Sequence, residues 1–151
     1  LKNWEEIKQK EKHEETVTAG MKRVAKALPA NIRAAKVQKK AAKVGFDFED
    51  YRQVAMKVEE ELGEVMEAAE KGTSEAVFEE FGDLMFSAVN LSRFFDVNVE
   101  NALTNATEKF INRFEYIEKS ALLEGKALSE MSLEEMDLLW DEAKIKLNPM
   151  Q

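Results

Sequence analysis

Chain breakers are scarce in this sequence, and their positions limit what it can fold into. Six Gly and two Pro are spread over 151 residues. Tight turns draw heavily on these residue types, so a many-stranded sheet has little to turn on. Long helices joined by few loops fit better. Pro29 suits the first turn of a helix over 30–44, which Gly45 stops. Asp47 is placed to cap a second over 48–71, ended by Gly72. Thr73 or Ser74 can cap a third over 75–95, and Asn98 a fourth over 99–124 that stops at Gly125. Ser132 and Glu135 form an S-x-x-E capping box for a last helix ending near Leu147, with Pro149 beyond it. The expected class is all-α. Residues 1–19 are highly charged with a thin apolar stripe, and read as a solvated helical lead-in or linker before a domain over 20–151.

Composition narrows the function classes. Hydrophobic residues make up 44% and charged residues 34%, ordinary for a globular helical chain and too apolar for a disordered acidic one. The net charge of -8 argues against a general nucleic-acid surface, which needs a basic face. With no Cys, neither a disulfide nor a thiolate metal site can form. No apolar run approaches a membrane span and no signal-peptide pattern opens the chain, so a cytoplasmic enzyme is expected, without a membrane or nucleic-acid polymer as partner. The start at Leu1 reads as that of a fragment of something longer.

The acids are the informative feature. In K-V-E-E-E-L-G-E-V-M the apolar stripe is Val54, Val58, Leu62, Val65 and Ala69. At 100° per residue, Glu61 lies roughly 60° off that stripe and Glu64 roughly 120° off, with Glu60 nearer the far side. The third helix has apolar residues over most of its circumference, among them Phe78, Phe81, Leu84, Met85 and Phe86, and is therefore expected to be buried. It nevertheless carries a polar stripe of Glu80, Asp83, Ser87 and Asn90. Buried carboxylates are costly unless paired or bound to a cation, and an acidic chain has few bases to spare. Two helices side by side, each with carboxylates three residues apart, would converge four acids on one point. An all-oxygen set suits Mg²⁺ or Mn²⁺. The single His13 is far from the acids in sequence, which disfavours a ferritin-type di-metal oxidase built on Glu-x-x-His pairs. The plainer alternative is a solvated acidic face.

Lys109 and Arg113 lie one turn apart beside Leu103, Ala106, Phe110, Phe114 and Ile117. A point charge and a planar fork suit a polyphosphate. The alternative is a surface pair bridged to Glu108, Glu115 or Asn112.

Taken in order, these residues resemble the MazG family of nucleoside triphosphate pyrophosphohydrolases. The family pattern of E-E-x-x-E followed by E-x-x-D is matched by Glu60-Glu61-x-x-Glu64 and Glu80-x-x-Asp83. L-P-A-N-I-R-A-A-K-V-Q-K-K-A-A-K-V-G-F-D-F is similar to the family's lead-in, and K-F-I-N-R-F to its K-F-x-x-R-F motif. Trp140 falls where the family has a tryptophan near its C-terminus. Two positions depart, Ala35 and Thr107, where the family commonly has Asn. The resemblance implies a helical bundle of the all-α NTP pyrophosphatase type, completed by homodimerisation, that cuts nucleoside triphosphates to monophosphate and pyrophosphate. By that carry-over Glu61, Glu64, Glu80 and Asp83 hold Mg²⁺ and Glu60 orients or deprotonates the attacking water, with Glu60 and Glu61 as the catalytic pair. Lys57, Asn90, Lys109 and Arg113 contact the substrate, Trp140 lies near the base, and Lys36 is a weaker candidate. The family's full-length members often carry an N-terminal domain of related fold. A competing reading is a non-catalytic helical dimer acting as a protein-interaction module.

Overall fold

A computed structural model describes residues 3–8 and 15–147. His13 and Pro149 lie outside the described residues. Residues 3–8 are helical and exposed. Then follow α1 (Val17–Lys22), α2 (Ala30–Lys43), α3 (Tyr51–Lys71), α4 (Ser74–Arg93), α5 (Val99–Leu123), a 3-10 turn (Leu128–Glu130) and α6 (Leu133–Leu147). No strand occurs among the described residues. None of their helices is long and apolar enough to cross a membrane. The chain divides into two compact units, Leu1–Glu100 and Asn101–Gln151.

Local signals account for most of the boundaries. The Thr16 hydroxyl accepts the Ala19 N–H at 3.1 Å and so starts α1 inside what reads in sequence as the end of the charged lead-in. α2 ends where expected. Gly45 adopts φ 91°, and the N–H groups of Gly45 and Phe46 return to the carbonyls of Ala42 and Ala41. That double bond pattern needs a left-handed residue, which Gly supplies without strain. Asp96 takes the same position after α4, with φ 53° and Val97 N–H donating to Ser92 C=O. Thr73 caps α4 through the Ala76 N–H, and Ser132 accepts the Glu135 N–H at 3.1 Å to start α6.

The start of α3 differs from expectation. Asp50, not Asp47, caps it, so the helix begins at Tyr51 and not Phe48. Asp47 is committed elsewhere, accepting the Phe48 N–H and pairing with Arg93 of α4 at 2.9 Å.

In the first unit α3 and α4 form a hairpin, α2 packs on α4, and α1 packs on α2. Val24, Val54 and Val89 are its buried apolar side chains, joined by Gln38, Glu61 and Ser87. The second unit centres on Ile117, Ala121, Met131 and Ala143, with Arg113 also buried.

The expected burial of α4 does not hold. Phe78 is 83% exposed, and Phe81, Met85 and Phe86 are also exposed. Turned inward are Ser87 and Val89, both buried, with Leu84, Asn90 and Leu91 half-buried, while Asp83 of the polar stripe is exposed; Gln38 of α2 donates to the Phe86 carbonyl at 2.9 Å. Among the described residues of the first unit α4 packs on α3 and α2, and its large aromatic side chains stay on the outer side.

Candidate metal centre

Two helices of the first unit build the site. Glu61 comes from the middle of α3, and Glu80 and Asp83 from the first half of α4. One carboxylate oxygen from each lies within 4.8 Å of the others. Glu61 is buried, Glu80 half-buried and Asp83 exposed, so the group sits at the edge of the packed surface with one side open to water. The turn at Gly72 and Thr73 brings the end of α3 back along α4, which is why acids nineteen residues apart meet.

The electrostatics show how crowded this point is. Partial desolvation raises the Glu80 carboxyl above its ordinary range, and the charges of Glu64, Asp83, Glu61 and Glu79 add to the rise. Lys57 answers part of that charge. Its ammonium lies 3.1 Å from Glu61 and 3.4 Å from Glu60, and these hydrogen bonds raise its pKa above the usual lysine value.

The expected site residues are thus only partly gathered. Glu61, Glu80 and Asp83 come together. Glu64 is exposed and stands outside the close group, near enough to act on Glu80 by charge. Glu60 is exposed and turned to Lys57. Carboxylate oxygens from two rigid helices, with one lysine for several acids, fit a hard divalent cation better than a soft one.

Beside this group lies a cleft of about 510 Å³ that sequence reasoning missed. Phe46, Phe48, Phe86 and Val54 give it an apolar lining, while Lys57 and Asn90 also face it. Asn90 Oδ1 accepts from Arg93 Nε at 2.9 Å and from its Nη2 at 2.6 Å. Gln38 also lines the cleft, and its buried Oε1 has no hydrogen-bond partner. The available signal was the F-D-F segment after Gly45, together with a glutamine on the inner face of α2.

In the second unit Arg113 is buried, contrary to the surface-pair alternative. Its guanidinium carbon is 5.5 Å from the centroid of the Trp140 ring, and Phe110 tilts against the same ring at 5.2 Å. Lys109 is half-buried one turn earlier. Thr107, one of the two departures, donates its hydroxyl to its own helix at Leu103 C=O.

A family model, the MazG nucleotide pyrophosphohydrolase domain, matches residues 49–118. That stretch holds the whole acid group together with Lys109 and Arg113. Beyond it, the chain is 42% identical over 143 residues to the nucleoside triphosphate pyrophosphohydrolase/pyrophosphatase MazG of Thermotoga maritima. The chain belongs to the MazG family. It is also 38% identical over 146 residues to the nucleoside triphosphate pyrophosphohydrolase of Escherichia coli K12. A third relative, the uncharacterized protein YabN of Bacillus subtilis, is 48% identical over 145 residues. Each match covers 95% of this MazG chain. The chain spans about half the length of the first two relatives, 54% and 56%, and 29% of YabN.

Proposed function

We propose that this chain is the catalytic part of a Mg²⁺-dependent hydrolase that converts nucleoside triphosphates to nucleoside monophosphate and pyrophosphate. The observation that carries the reading is the convergence of Glu61, Glu80 and Asp83 within 4.8 Å, in a chain of the MazG family. These three hold the cation, with Glu64 beside Glu80 as a further ligand. A bound Mg²⁺, or Mn²⁺ in its place, supplies charge neutralisation on the phosphates and a lower pKa for a water it holds.

Water attacks the α-phosphorus, the bond from that phosphorus to the bridging oxygen breaks, and pyrophosphate leaves with the electron pair. Glu60 accepts the proton of the attacking water. Lys57, shared between Glu60 and Glu61, keeps the two carboxylates in register. The aromatic cleft takes the nucleoside part. Asn90 faces it with the Nδ2 donor, because Arg93 occupies the Oδ1 acceptor. Lys109 and Arg113 bind the phosphates, and Trp140, near the base, holds the Arg113 guanidinium against its ring. A second copy of the chain covers the exposed apolar faces of α3 and α4, giving a homodimer.

Chromatography of the products after incubation with nucleoside triphosphate tests the reading. Monophosphate and pyrophosphate should form with Mg²⁺ and not with EDTA. Glu61→Gln and Asp83→Asn should each lower kcat/KM by at least about 100-fold, since even partners one shell out from a metal cost 10- to 100-fold. Release of orthophosphate alone, or unchanged turnover in both variants, would show the reading to be wrong.

A further inference from the structure

Positive charge is distributed very unevenly along this acidic chain. Residues 16–46 carry Lys22, Arg23, Lys26, Arg33, Lys36, Lys39, Lys40 and Lys43 and not one Asp or Glu. All thirty acids lie elsewhere. Five of these bases, Arg23, Lys36, Lys39, Lys40 and Lys43, line a cleft of about 510 Å³ between α1 and α2, with Val24 and Leu28 in its wall. Arg23 is paired with Glu15. The four lysines form no ion pair among the described residues.

An ordinary solvated face mixes both signs. Here lysines stand at spacings of three and four on one helix, where like charges repel and weaken it. Lys40 and Lys43 complement the C-terminal end of the α2 dipole, but Lys36 and Lys39 are too far from that end to gain from it. Lys36 and Lys39 also border a neighbouring groove that contains Asp96 and Glu100, whereas Lys40 and Lys43 line the basic cleft and not that groove. Lys40 is folded down into it, with Cδ and Nζ each 3.7 Å from where a Cβ on Gly20 would lie.

The cleft is separate from the acid group. Gln38 turns α2 toward α4, and Lys39 and Lys40 lie roughly 100° and 200° further round the helix. No aromatic side chain lines it, so it offers no platform for a base. We infer that this cleft is a second anion site, selective for a linear polyphosphate such as pyrophosphate or tripolyphosphate and read by charge alone. The four lysines extend over roughly 10 Å of helix, matching a short phosphate chain better than a nucleic-acid backbone. The inference stands apart from the proposed hydrolysis, since Lys39, Lys40 and Lys43 have no part in it and Lys36 was only a weaker substrate candidate.

Calorimetric titration of the full chain with inorganic tripolyphosphate in EDTA, at low salt, tests it. Wild type should bind, and binding should weaken steeply as salt is raised. Combined Lys39→Gln, Lys40→Gln and Lys43→Gln should weaken binding at least about ten-fold, while Glu61→Gln leaves it unchanged. Circular dichroism reports whether the triple variant is folded. If it is not, Lys43→Gln alone supplies the reading, with a loss of about three-fold expected. Absence of binding by wild type, or equal binding by the folded lysine variant, overturns the site. Tighter, lysine-dependent binding of a single-stranded RNA oligomer than of tripolyphosphate overturns its assignment to small polyphosphates.

Discussion

At the level of single residues, one glycine and one aspartate show how much a neighbour decides. Gly72 closes α3 in an extended conformation. A Cβ there would lie 2.7 Å from the Ala68 carbonyl oxygen and 3.2 Å from the Ala76 Cβ. Both neighbours belong to helices, so neither can swing aside. Gly72→Ala should therefore destabilise the chain, on the order of 1–3 kcal/mol as for other overpacked positions, and urea unfolding would measure it. Sequence marks Gly72 only as a stop; the close approach comes from residues four positions away on either side, where α3 turns into α4. Asp47 is the converse case. Its type and position suit a cap, yet its carboxylate is engaged by Arg93, forty-six residues away. Asp50 meets the same local criterion without that competing partner and becomes the cap. The acid spacings were legible because i, i+3 geometry is intrinsic to a helix. That Glu64 stands outside the group was not, since it depends on how α4 is rotated against α3.

Helices bear out the breaker pattern, and their ends are where local chemistry can be tested. Thr73 and Glu75 together serve the start of α4. The Thr73 hydroxyl accepts the Ala76 N–H, and Thr73→Ala should cost about 1 kcal/mol in thermal or denaturant unfolding. The Glu75 carboxyl is held below its ordinary pKa, first by its own backbone N–H and then by the Thr73 and Ser74 hydroxyls. A carboxyl depressed in the folded state stabilises it above the unfolded-state pKa. That contribution is lost as pH falls through the lower folded value. Glu75→Gln should thus reduce stability at neutral pH and leave it unaltered at the acid end of a pH series of unfolding curves. α4 as a whole is where sequence reasoning failed on burial. A helix apolar over most of its circumference was expected inside, but amphipathicity says which face seeks cover and not which neighbours are present to give it.

For the whole molecule, that failure becomes a prediction. Phe78, Phe81, Met85 and Phe86 on α4, with Met56, Leu62 and Met66 on α3, are exposed in the single chain. Apolar exposure on this scale marks an interaction surface. Combined Phe78→Glu and Phe81→Glu should convert a dimer to a monomer in sedimentation analysis, with wild type sedimenting as the dimer at the same concentration. A wild-type monomer at micromolar concentration would remove the homodimer from the proposal. By itself, the sequence determined the all-α class, most helix boundaries and the candidate acids. Those follow from caps, breakers and a 3.6-residue repeat, which act within a few residues of chain. Only the tertiary structure decided which three acids meet, which side of α4 faces inward, that Arg113 is buried against Trp140, and that an aromatic cleft opens beside Lys57. Each of these depends on the rotation and approach of one helix against another. Those are set by the packing of side chains far apart in sequence, which no local spacing encodes.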